Sequence, residues 1–238
     1  MGERMKKLLI LTFALTVSAY SHAGYFLEIG TSQNDTDVNS LGFLNPAGSS
    51  ATANTTSGNF INLENLSQNN QQNGTSFKIG MDYSGFDVYL VKKSFGTAQA
   101  TGTATFGTQD FTQRLMLDVD VIALGLSYPI DLGNNHSIAP LIEFGQADID
   151  AAGQQISPVG TFNLFPNKSN DDSTFAYGIT YAYGISEGVE LTASYIQNDL
   201  GDANTGVTGT GISGMNAGEQ LQSEVEVTEL MIGLRVTF

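Results

Sequence analysis

The chain has 238 residues, of which 41% are hydrophobic and 14% charged, with 27 Gly, no Cys and a formal net charge of −15. So low a charged fraction, against the usual ~25%, fits a soluble surface poorly, and a mean hydropathy of −0.05 fits a helical membrane protein no better. Missing Cys excludes disulfides, Cys-ligated metals and thiol catalysis, and the acidity argues against nucleic acid, because neutralising phosphates takes clustered Lys and Arg.

Met1 to Ala23 reads as a cleaved signal peptide: Arg4, Lys6 and Lys7, an apolar run from Leu8 to Val17, then Ser21-His22-Ala23 at the cleavage site. The run is short of the roughly 20 residues a helical span needs. The mature chain then begins at Gly24 with 6 basic and 23 acidic residues, a formal net of −17.

No second run of that kind follows, and the apolar residues recur instead at every other position, as on a strand with one apolar face. Tyr25, Leu27 and Ile29 oppose Glu28 and Gly30, with Phe26 as the exception; Phe77, Ile79, Met81 and Tyr83 oppose Lys78, Gly80 and Asp82. Strands are also predicted near 86–95, 112–129 and 138–147. Residues 175–185 carry large side chains on one face and small ones on the other, and 189–197 and 226–238 complete eight. In the last of these, Leu230, Ile232, Leu234, Val236 and Phe238 share a face.

The segment 112–129 breaks its own pattern, because Asp118 and Asp120 share parity with Ile122, Leu124, Leu126 and Tyr128. Either a bulge lies near Val121 or the strand has left the hydrocarbon. The second reading is preferred, since Asp118 stands about 25 Å above the strand's lower end at Tyr128, at ~3.3 Å per residue and a tilt near 40°.

The connections alternate in length. Ser84-Gly85, 131–137 and 186–188 are turns, whereas 32–74, 96–111, 148–173 and 198–223 are long and rich in Asn, Thr, Gly, Ser and Gln. Short turns on one side and long loops on the other, with an even strand count, is the pattern of an outer-membrane barrel. Unpaired amides in hydrocarbon cost several kcal/mol each, so a spanning chain without helices must close its sheet. Tyr25, Tyr83, Tyr128, Tyr181, Tyr183, Tyr195 and Phe238 near strand ends suit interfacial girdles better than a sandwich core.

Parity sends Glu28, Lys78, Asp82, Glu143, Glu190, Glu229 and Arg235 inward, beside glycines that make room. Eight strands enclose little more than their own side chains, so these charges are expected to form a buried ionic network rather than a proton or cation path. No catalytic residue is predicted: the one mature His, His136, falls in a turn and reads as solvated. The pairs Asp35/Asp37, Asp148/Asp150, Asp171/Asp172 and Asp199/Asp202 lack the cadence of a calcium loop and read as solvated charges, so neither metal nor cofactor is expected. Two apolar islands, 41–44 and 162–166, are expected to pack on one another above the barrel.

In strand pattern, loop alternation and the ending Gly233-Leu234-Arg235-Val236-Thr237-Phe238, the mature chain resembles the small OmpA/OmpX-type and opacity-type outer-membrane β-barrels. Ala123 to Tyr128 followed by Ala139-Pro140-Leu141 is similar to a recurrent strand–turn–strand of that group. The resemblance implies an all-β fold: an eight-stranded antiparallel transmembrane barrel over 24–238, with periplasmic turns and termini and four long extracellular loops. It also implies residence in the bacterial outer membrane among lipid and lipopolysaccharide. Leu230, Ile232, Leu234, Val236 and Phe238 would be the signal read by the barrel assembly machinery. A structural or adhesion-like surface role follows, with an unspecified extracellular ligand; a narrow channel for small solutes is the alternative, and a lipid-modifying enzyme is disfavoured.

Overall fold

The computed structural model describes residues 24–44, 60–69, 71–106, 109–157, 159–207 and 220–238; the expected signal segment lies outside the described residues. The chain runs through β1 Tyr25–Leu44, β2 Phe60–Asn62, β3 Glu64–Asn69, β4 Gln71–Tyr83, β5 Phe86–Phe106 and β6 Gln109–Ser127. It continues through β7 Ile130–Gly133, β8 His136–Ser157, β9 Gly160–Ser186, β10 Val189–Asn204 and β11 Gln220–Thr237. Eight of these form a ring of antiparallel neighbours, β1-β4-β5-β6-β8-β9-β10-β11, closed where β11 pairs β1 from Phe26↔Thr237 up to Leu44↔Gln220. The sheet is sealed at its lower rim: Phe238 N–H donates to the Tyr25 carbonyl at 2.9 Å, and Tyr25 N–H to the Phe238 carbonyl at 3.1 Å.

The three short turns are tight two-residue hairpins. Ser84 and Gly85 have φ of 54° and 87°, and Asn134 and Asn135 of 53° and 66°, the double positive φ that matches the twist of the flanking strands.

The long strands cross two environments, and β6, β8 and β11 do so without changing parity. On the turn side of the barrel, outward residues are large and apolar: Ile122, Leu124 and Leu126 on β6, Ile142 and Phe144 on β8, Ile179 on β9, and Leu230, Ile232 and Leu234 on β11 are each about 40–60% exposed. Inward residues at this level include Glu28, Lys78, Lys93, Glu143 and Glu229. Further up, the outward positions become Asp118, Asp120, Asp148, Asp150, Glu224 and Glu226, all exposed. There the inward positions become Leu115, Leu117, Val119, Val121, Ile149, Val225 and Val227, all buried in one apolar core. A belt that is apolar outside and charged inside thus gives way to a crown that is charged outside and apolar inside.

The belt's exposure far exceeds the few hundred Å² of apolar patch that a water-soluble monomer tolerates, and it runs right round the barrel. Of the two readings of 112–129, the bulge falls away, since β6 pairs β8 in unbroken register from Thr112 to Ser127. The backbone keeps its parity, and it is the surroundings that invert.

The expected long loops are corrected here: most of their residues are strand. β5 and β6 run on to Phe106 and from Gln109, and β8 and β9 to Ser157 and from Gly160. At 19 residues, ~3.3 Å per residue and a tilt near 40°, β6 alone rises about 50 Å, roughly twice the height of an apolar band. Polar composition concealed these strands, because only the inward half of a crown strand is apolar. Of the two islands, Leu41, Leu164 and Phe165 enter the crown core together.

Candidate functional site

Buried charge gathers in the belt's interior. At its centre Lys93 Nζ lies 2.7 Å from Glu143 Oε2 and 2.9 Å from Glu229 Oε2, with the three side chains no more than 2% exposed. Lys93 also donates to Asn198 Oδ1 at 3.1 Å, and that amide is oriented by donating its own N–H to the Val227 carbonyl at 3.1 Å. The Tyr89 hydroxyl donates to Glu143 Oε1 at 3.0 Å. Gly125 makes this possible: a Cβ there would lie 2.2 Å from the Tyr89 ring, so a larger residue on β6 would expel the tyrosine.

Below this cluster Arg235 grips Asp87 with two bonds, Nη1 to Oδ2 at 2.7 Å and Nη2 to Oδ1 at 2.9 Å, the bidentate geometry of a strong pair. Glu190 approaches Arg235 Nε at 3.6 Å, and Ser127 donates to Asp87 Oδ2 at 3.3 Å. The guanidinium stacks 3.8 Å over the Phe26 ring. That contact explains the one large apolar residue on the wrong face of the first strand: Phe26 is inward because a cation covers it. Lys78 meets Glu28 at 3.4 Å.

The predicted inward charges therefore fall into three groups: Glu28 with Lys78, Glu190 with Arg235, and Glu143 with Glu229. Asp82 stands apart; it is exposed at the lower mouth, accepts the Gly85 N–H at 3.2 Å and forms no ion pair among the described residues. Sequence reasoning missed Lys93 and Asp87, the partners that hold two of the groups together. In Val88-Tyr89-Leu90-Val91 an unbroken apolar run hides the alternation, and Lys92-Lys93 supplies a cation to both faces. Asn198 was hidden by its assignment to a loop.

The terminal positions Leu230, Ile232, Leu234, Val236 and Phe238 all face outward, 36–75% exposed, in one row on β11. His136 sits at the lower rim, hydrogen-bonded to the Tyr181 hydroxyl and 4.9 Å from the Tyr183 ring. Tyr83, Tyr128, Tyr181, Tyr183 and Tyr195 are outward and 42–49% exposed, which sets aside a sandwich core for them.

The crown's exterior is an acidic collar with like charges set opposite one another. Asp118 pairs in register with Asp150 and Asp120 with Asp148, which in turn faces Asp171. Asp37 and Asp199 flank Glu226 from its two sides, and Asp202 faces Glu224. Opposed like charges destabilise a sheet, and Asp37 registers it: partial burial, then Asp35 and Glu226, push its carboxyl above the usual range.

Solved outer-membrane barrels share this architecture. OprG from Pseudomonas aeruginosa is similar with a TM-score of 0.59 at 13% identity, over 90% of this chain and 96% of that one. A major outer membrane protein of Thermus thermophilus has a TM-score of 0.47 at 12% identity, over 91% and 100%. Ail, the attachment invasion locus protein of Yersinia pestis, has 0.41 at 13%, over 91% and 99%. No protein-family model and no curated protein matches the chain. At such identities the likeness concerns the fold, which is that of a small outer-membrane β-barrel.

Proposed function

We propose that this chain resides in the bacterial outer membrane and presents its acidic crown outside the cell as a surface-interaction, adhesion-like element. The observation that carries this reading is the inversion of environment along β6, β8 and β11. The belt is built for lipid, and the crown for water, with its own core and its acids on display. In this orientation the Ser84, Asn134 and Glu187 turns and both ends of the mature chain are periplasmic. Cleavage after Ala23 precedes assembly, and the outward row ending in Phe238 is what the barrel assembly machinery reads. The collar then stands next to the lipopolysaccharide headgroups.

The narrow-channel alternative loses ground to the filled lumen, where the Lys93 cluster and the crown core follow one another along the axis. A lipid-modifying enzyme has no residue set to support it among the described residues, where His136 sits at the turn-side rim. The deciding experiment places short epitope tags at residue 158, in the 208–219 connection and at Glu187 and reads them on intact cells. Tags at the first two sites should be accessible and Glu187 protected. The reverse pattern sinks the orientation, and loss of cell or matrix binding on trimming the crown with the belt intact would identify the role.

A further inference from the structure

Of the six basic residues of the mature chain, Lys78, Lys93 and Arg235 are paired inside the lumen, and Arg114 and Lys168 stand in the crown. Lys92 is left as the one cation on the belt's outer surface among the described residues. It is exposed, in register with Phe77 on β4 and Ile122 on β6, which are 44% and 41% exposed, and it forms no ion pair among the described residues. A charge on the lipid face is costly at mid-depth and nearly free at the interface, so this row marks the top of the lipid. On its flexible stem the ammonium reaches headgroup level.

The row above decides what can approach it. Followed around the barrel in register, that row reads Thr31 on β1, Thr75 on β4 and Ser94 on β5, then Asp120 on β6, Asp148 on β8 and Asp171 on β9. One row higher Gln33 faces Asn73, and Thr97 precedes Asp118 and Asp150. The acidic collar thus has a window three strands wide, bearing hydroxyls and amides and no acid at these two levels, with Lys92 at its foot.

We propose that this window binds the phosphorylated sugar headgroup of an outer-leaflet glycolipid, with a phosphate on Lys92 and sugar hydroxyls on Thr31, Thr75 and Ser94. An anion is repelled by the acids of β6, β8 and β9 and finds a cation without opposing carboxylates only here. Hydroxyls and side-chain amides both donate and accept, as sugar hydroxyls do. The phosphodiester of a phospholipid would use Lys92 and leave the hydroxyls and amides above it to water. The choice of the outer leaflet rests on the orientation given above.

The test is native mass spectrometry of the folded full-length barrel in detergent micelles, titrated separately with bisphosphorylated lipid A, with the same lipid A stripped of its phosphates, and with phosphatidylglycerol. Lipid A carrying its phosphates should bind in preference to both others. Lys92→Gln should weaken that binding about fivefold, the worth of one lysine at an anionic lipid surface, and Lys92→Arg should preserve it. Ser94→Asp, which puts an acid into the window, should weaken it too, whereas Arg114→Gln, an equal loss of positive charge in the crown, should not. A retained gel-mobility difference between boiled and unboiled samples shows that each variant folds; should Ser94→Asp fail that check, the two Lys92 variants decide. Equal binding of phosphatidylglycerol or of the phosphate-free glycolipid, unchanged affinity in Lys92→Gln, or the same loss in Arg114→Gln would overturn the proposal. Micelles have no sides, so a failure here leaves the orientation to the epitope tags, and reversed tags leave the binding result standing.

Discussion

Lys93 shows how much one side chain can carry in a lumen this narrow. It is fully buried between two carboxylates, so its replacement by Met does not merely delete a contact; it strands Glu143 and Glu229 without their cation. Breaking a buried pair from one side costs about 3–5 kcal/mol, whereas replacing all the partners together is often neutral. Lys93→Met should therefore lower the unfolding free energy by about that amount, and the Lys93→Met, Glu143→Gln, Glu229→Gln triple variant should recover most of it. Denaturant unfolding in lipid vesicles measures both, and equal loss in the single and triple variants would refute the account. Asp37 gives the opposite case, a carboxyl whose proton is held more tightly in the folded chain than the ordinary value of 3.8 implies. A raised folded-state value contributes stability at low pH that is lost as the pH climbs through it. The crown should accordingly melt higher near pH 4 than near pH 7, and Asp37→Asn should flatten part of that slope. An unaltered slope in the variant would remove Asp37 from the explanation.

At the scale of the strand, the belt was legible in the sequence and the crown was not, for a single physical reason. Lipid rewards large apolar residues at every outward position, so Phe175, Tyr177, Ile179, Tyr181 and Tyr183 announce their strand by mass alone. Water imposes no such demand on the crown, and small inward residues such as Ala147 and Ala151 beside outward Asp148 and Asp150 read as loop. The ionic cluster was half visible for a related reason: Glu143 and Glu229 interrupt apolar runs on alternating strands, while Lys93 is masked by its neighbour Lys92. The boundary between the two environments makes a sharp prediction on β6. Leu124→Arg places a charge on the lipid face and should destabilise the barrel by about 2–4 kcal/mol if Leu124 lies near mid-depth. Asp120→Arg, four residues higher on the same face, should change stability by less than about 1 kcal/mol, because it already stands in water. Vesicle unfolding of the two variants reads the height of the lipid directly, and similar losses would move the boundary above Asp120.

For the molecule as a whole, belt and crown are two barrels of opposite polarity threaded by the same eight strands, and each closes the axis by its own means. In the belt the closure is electrostatic, a lysine held by two glutamates; in the crown it is apolar, with Leu115, Leu117, Ile149, Leu221 and Val225 at no more than 1% exposure. Because the two are in series, opening one does not open a path. Purified protein in a planar bilayer should therefore give no discrete conductance steps, and Lys93→Ala should stay equally silent, since the crown core is untouched by that change. The expectation differs from that of a gated pore, in which removing the central cation would release current. Steps in the wild-type chain would mean that the crown core parts on the timescale of the recording, and steps confined to Lys93→Ala would mean that the crown presents no barrier of its own.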